Sequence, residues 1–126
     1  MLSVNTRTWS DVISFYESLI HKAGWQIEPM LALVQFIASS PYADCLFPYT
    51  SHDVLGMGRL ANFVRGDSEL RIHYNPKTET FTFMYIQRPD DQSSWSRLCS
   101  ASEWRSTLDR ILQTHLGWFH ENSSAR

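Results

Sequence analysis

Lysine is nearly missing from this chain. Only Lys22 and Lys77 carry an ammonium; the other nine of its eleven basic residues are arginine. A charge excess is missing too. Thirteen acidic residues against eleven basic ones leave a formal charge of −2 and a pI near 6.2. Such a balance excludes the basic stripe of a dedicated nucleic-acid binder. Cysteine is limited to Cys45 and Cys99, too few for a disulfide framework, and both are expected as free thiols in a reducing cytoplasm. The most apolar stretch, residues 30–38, is broken by Gln35 and falls far short of the ~20 residues of a membrane span. The first five residues show no charged region followed by an apolar run, so no leader peptide is expected.

Metal-ligand spacing is absent as well. The histidines are His21, His52, His73, His115 and His120, and none forms a His-x-x-x-His pair. No Cys-x-x-Cys pair exists either, so neither a metal nor a cofactor is expected. Gly56-Met57-Gly58-Arg59 lacks the later glycine, the lysine and the helix of a phosphate-binding loop. Asp90 and Asp91 fall in a polar turn where both are solvated, which is unsuited to acid–base work.

What the chain does have is enough apolar residue to fold. At 43% hydrophobic and 126 residues, it reads as one globular domain over 1–126, with a frayed tail from about 120. Thr8 with Asp11 three residues later marks a helix start. Trp9, Val12, Ile13, Tyr16, Leu19, Ile20 and Ala23 follow as one helical stripe. Gly24 and Trp25 suit its C-terminal cap. Pro29 opens a second helix, apolar almost all round, which ends at Ser39-Ser40-Pro41.

The β signal comes next. An aromatic-rich loop leads into one strand over roughly 52–60, where Gly56 and Gly58 mark a bulge or a close backbone approach. Leu70, Ile72 and Tyr74 alternate with polar residues, and Phe81, Phe83 and Tyr85 do so after the turn at Asn75-Pro76-Lys77-Thr78. This is a hairpin with one aromatic face. A further strand is expected over 94–99. A capping box at Ser100 to Glu103 then opens a helix that closes at Gly117-Trp118. The order α-α-β-β-β-β-α predicts a two-layer α+β sandwich. Its antiparallel sheet has about four strands, with the N-terminal helix pair and the C-terminal helix on one face.

Two regions carry candidate chemistry. The outward hairpin face is expected to carry Glu69, Arg71, His73, Thr80, Thr82, Met84 and Ile86, beside Trp95 and Arg97 of the next strand. The contact residues expected there are Arg71, His73, Met84, Ile86, Trp95 and Arg97. Exposed apolar residues gathered this way mark contact sites, and Arg and Trp are the side chains of interface hot spots. The expected role is therefore binding to a protein partner or to itself, with no membrane and with nucleic acid disfavoured. The alternative pocket is Cys45, Tyr49, His52 and Asp53, a thiol, a hydroxyl, an imidazole and a carboxylate in one segment. These would serve a small enzyme or a ligand-binding domain. Ser51-His52-Asp53 cannot relay protons as a unit, because adjacent residues of an extended segment face opposite ways. A third reading, a platform for single-stranded nucleic acid, rests on Arg59, Arg65, Arg71, Arg88 and Arg97 among aromatics. No catalytic residue is assigned.

Several short stretches resemble small bacterial proteins without assigned activity. These are Ala38-Ser39-Ser40-Pro41-Tyr42-Ala43, Thr50-Ser51-His52, the Arg71-Ile72 and Phe81-Thr82-Phe83 hairpin, Trp95, and Trp118-Phe119. In build the chain is also similar to immunity and antitoxin proteins, single α+β domains that occupy a partner's surface. That resemblance implies a soluble bacterial binding protein and transfers no catalytic residue.

Overall fold

Helix α1 spans Trp9–His21, and α2 spans Glu28–Ala38. A 3-10 turn at Pro41–Asp44 leads into five strands: β1 Phe47–Ser51, β2 Val54–Gly58, β3 Glu69–Asn75, β4 Thr80–Ile86 and β5 Trp95–Ser100. Helix α3, Trp104–Arg110, continues as a π-helical turn over Ile111–His115. This computed structural model describes residues 7–59, 68–86 and 94–119. The expected strand end at Leu60, the polar loop at 88–92 and the tail from 120 lie outside the described residues, as do Arg65, Arg88, Asp90, Asp91 and His120.

The sheet is a meander, β1-β2-β3-β4-β5, with every pair antiparallel. One side of it is apolar: Leu55, Met57, Leu70, Ile72, Tyr74, Phe81, Phe83 and Tyr85 are all buried. The helices cover that side with Val12, Tyr16, Met30, Leu33, Val34, Ile37, Leu108, Ile111 and Leu112. The architecture is thus the expected two-layer α+β sandwich, with five strands instead of about four.

The extra strand has a physical origin. The aromatic-rich loop expected ahead of the single strand over 52–60 is itself strand β1, so β1 and β2 form a hairpin whose turn is His52-Asp53, with His52 in the left-handed region at φ 56°. Pro48 argues against a strand in the sequence, yet β1 is an edge strand, where a missing N–H costs little. Gly56 sits in regular register, opposite Tyr49 on one side and Arg71 on the other. The ring of Tyr49 lies across it, where any Cβ would stand. Of the two meanings open to a strand glycine, this one is close approach.

Helix ends follow local rules. Asp11 N–H donates to Thr8 Oγ1 at 3.0 Å, as the cap spacing requires. Gly24 (φ 75°) and Gly117 (φ 63°) then end their helices alike. In each case the following Trp N–H, Trp25 or Trp118, reaches back six residues to a Leu carbonyl at 2.9 Å. Trp25 nevertheless remains 43% exposed. The expected capping box at α3 does not form: Ser100 Oγ donates to the Glu103 carboxylate at 3.0 Å, and Glu103 caps the helix without a side-chain bond.

Long-range hydrogen bonds tie the layers together. Trp9 Nε1 donates to the Leu46 carbonyl at 3.0 Å, and Tyr16 Oη to the Asp53 carbonyl at 2.9 Å. Tyr42 Oη donates to Asp109 Oδ1 at 2.6 Å and accepts from Gln113 Nε2 at 2.8 Å, joining the 3-10 turn to the C-terminal helix.

Two substitutions separate backbone from packing. Gly24 has open space around it, so Gly24→Ala is expected to cost only its left-handed conformation, about 1–2 kcal/mol. Phe83→Ala empties a fully buried site and is expected to cost about 3–5 kcal/mol. Urea denaturation at constant m-value reads both.

Candidate functional site: the helix-free face of the sheet

Strand alternation sends every second residue to the side away from the helices. Across the middle of that side, Tyr49, Gly56, Arg71, Met84 and Ser96 lie opposite one another strand by strand. Glu69 and Ile86 form the neighbouring pair on one flank. His73, Thr82 and Leu98 form the row on the other.

Glu69 is the unusual member. Its side chain is only 6% exposed, although it belongs to the uncovered face. A buried carboxylate needs partners, and two converge on Oε1. Arg71 Nε donates at 3.0 Å, and the Tyr49 hydroxyl donates from across Gly56. Gly56 is what lets the Tyr49 ring lie flat enough on β2 to reach β3. Burial, and then the bond to Glu69, push the Tyr49 pKa up to about 12. The same carboxylate raises Arg71 above its already high value, chiefly through their hydrogen bond.

A second polar pair stands beside it. His73 Nε2 lies 3.2 Å from Asp53 Oδ2, with the imidazole 44% exposed. Asp53 is held from beneath, because its carbonyl accepts from Tyr16 of α1. Next to these fixed pairs, Met84 is 41% and Leu98 66% exposed. They sit diagonally across β4 and β5, since Thr82 faces Leu98 and Met84 faces Ser96.

Two expected members of this face belong elsewhere. Trp95 pairs with Tyr85, and Arg97 with Phe83, so both lie on the helix side. There Arg97 stacks over Trp95 at 5.6 Å, and its Nη1 lies 2.8 Å from His115 Nε2. A guanidinium only donates, so His115 accepts at Nε2 and carries its proton on Nδ1. Trp95 also meets Tyr85, which in turn meets Trp118. Leu98, absent from the expected set, takes their place on the open face.

The alternative pocket divides. Tyr49 and Asp53 join the open face, whereas His52 is an exposed turn residue and Cys45 precedes β1. At ~3.3 Å per residue, β1 separates Cys45 from His52 by about 16 Å. The Cys45 thiol donates to the Tyr42 carbonyl at 3.6 Å, and burial, then Asp44, raise its pKa. That is the reverse of an activated nucleophile. Cys99 is likewise free, with its pKa raised first by burial.

Among the described residues no group of three His, Cys, Asp or Glu side chains is placed to hold a metal ion. No helix there is long and apolar enough to cross a membrane. Compared with protein-family models, with curated proteins and with solved structures, the chain matches none. Its functional reading therefore rests on geometry.

Glu69, Arg71, His73, Met84 and Ile86 share this face as the strand alternation predicts; the enclosure of Glu69, which is not among the expected contact residues, is what the structure adds. The one signal for it is a glutamate that alternates with Leu70 and Ile72 directly ahead of Arg71.

Alkaline titration tests the Tyr49–Glu69 bond. The folded pKa lies above the ordinary value of 10, so its stabilisation is full below pH 10 and is lost as pH rises toward about 12. In Tyr49→Phe, stability is expected to lose this component of its fall above pH 10. Gly56→Ala, which displaces the ring, is expected to mimic Tyr49→Phe and to add little to it. Absorbance at 295 nm together with urea midpoints across pH 8–11 reads both.

Proposed function

We propose that this chain is a protein-interaction module of the immunity, antitoxin or adaptor kind, and that the helix-free face of its sheet is the contact surface. The observation that carries the reading is Met84 and Leu98, large apolar side chains standing exposed beside the Glu69–Arg71 ion pair and the Asp53–His73 contact. Exposed apolar residues next to preset charges are what a specific contact uses. The apolar part supplies affinity when water leaves, and the charges select the partner and its orientation. Arg71 is held by Glu69 and His73 by Asp53, so little side-chain freedom remains to be lost on binding.

The resemblance in build to immunity and antitoxin proteins agrees with this mode of action, as does the arginine-for-lysine composition. Two free cysteines fit a reducing cytoplasm, and the resemblance implies a bacterial one.

The test is recovery of a stoichiometric partner from the native lysate by the tagged chain, read by mass spectrometry. Met84→Glu is expected to abolish recovery. Trp25→Glu, which alters an exposed tryptophan beyond the end of α1, is expected to leave it intact. A partner retained equally by both variants would place the contact elsewhere.

A further inference from the structure

The two edges of the sheet are built differently. On β1, Pro48 has no N–H to offer, and its carbonyl already accepts from Arg7 N–H at 2.8 Å. A proline and a bonded flanking segment are devices that keep foreign strands off an edge. Among the described residues β5 has no proline, and a flanking bond only at its last residue. Its residues, Trp-Ser-Arg-Leu-Cys-Ser, include no proline and no lysine, and its register with β4 runs without a bulge from Thr80 opposite Ser100 to Tyr85 opposite Trp95. Among the described residues, the outward carbonyl of Ser100 accepts from Glu103 N–H at 3.0 Å, while the outward groups of Ser96 and Leu98 have no backbone partner.

Successive residues of that open edge differ in chemistry. Arg97 is aimed by the Trp95 ring beneath it and by the bond to His115, yet no carboxylate lies within ion-pair distance of it among the described residues. Leu98, the next residue, points to the other side and is 66% exposed, with Met84 at its flank. The strand thus offers a positioned cation on one side and an apolar shelf on the other.

We propose that β5 receives an extended segment of the protein partner as a sixth strand. Within it, an acidic side chain faces Arg97 on the helix side, and the adjoining apolar side chain faces Leu98 and Met84. Main-chain hydrogen bonds supply the pairing, and the alternation of charge and apolar surface supplies the selection. This rests on the protein-binding role and names the partner's element. A second copy of this chain fits worse. With helices on the same side, symmetric pairing through the middle of β5 sets Arg97 opposite or diagonal to its own counterpart, with no acid to balance them.

The full-length chain is titrated calorimetrically with two capped seven-residue peptides. One alternates valine with glutamate; the other alternates valine with lysine. The glutamate peptide is expected to bind at least tenfold more tightly and to protect the outward amides of Ser96, Leu98 and Ser100 from hydrogen exchange, with the preference shrinking as salt rises. Arg97→Glu is expected to reverse the preference and Arg97→Lys to keep it, with circular dichroism confirming that both fold. Equal binding of the two peptides overturns the proposal. So do outward amides left unprotected in the complex, and so does a dimer whose Ser96, Leu98 and Ser100 amides are protected without peptide. A lysate partner that survives Arg97→Glu but not Met84→Glu overturns the edge mode alone and leaves the protein-binding role standing.

Discussion

The alternation of the β3–β4 hairpin is the constraint on which the rest of the molecule depends. Leu70, Ile72 and Tyr74 on one strand and Phe81, Phe83 and Tyr85 on the other all face the same way, and every one is buried. Aromatic side chains of this size bury on the order of 150–250 Å² each, so such a surface cannot be left to water. It draws α1, α2 and α3 to one side. With every helix of the described chain committed there, the opposite side of a five-stranded sheet is left without a helical cover. The open face is therefore a consequence of how the core is filled.

That open face is not an ordinary solvated surface. A carboxylate as enclosed as Glu69 is tolerable only because Arg71 and Tyr49 both bond to it. The arrangement needs three strands at once: the ring leaves β1, passes over a residue without a side chain on β2, and ends on β3. Asp53 plays a similar joining part, holding His73 with its carboxylate and α1 with its carbonyl. The charges around Met84 and Leu98 are thus set in place by the fold before any partner arrives.

Much of the fold was legible because its signals are local. The Thr8 cap, the two Gly-Trp helix ends, the Pro29 start and the hairpin faces depend on residues within a few positions of each other, and each is found as expected. The first hairpin was not legible, since Pro48 breaks the strand pattern and a His-Asp turn is not among the common two-residue hairpin turns. β5 was ambiguous for a different reason. It has apolar residues at both parities, Trp95 and Cys99 on one and Leu98 on the other. Periodicity alone cannot choose between them, and the expected choice put Trp95 and Arg97 on the wrong side of the sheet.

The sequence by itself determined the α+β class, the helix limits and which side of the β3–β4 hairpin turns inward, because helix and strand periods are written in neighbouring residues. Only the tertiary structure decided that Tyr49 reaches Glu69, that Leu98 rather than Trp95 stands beside Met84, and that among the described residues a flanking segment bonds the middle of edge β1 but not that of edge β5. These follow from pairing register between strands far apart in the chain. A shift of one residue there exchanges the two faces of a strand, and no local pattern in β5 opposes it.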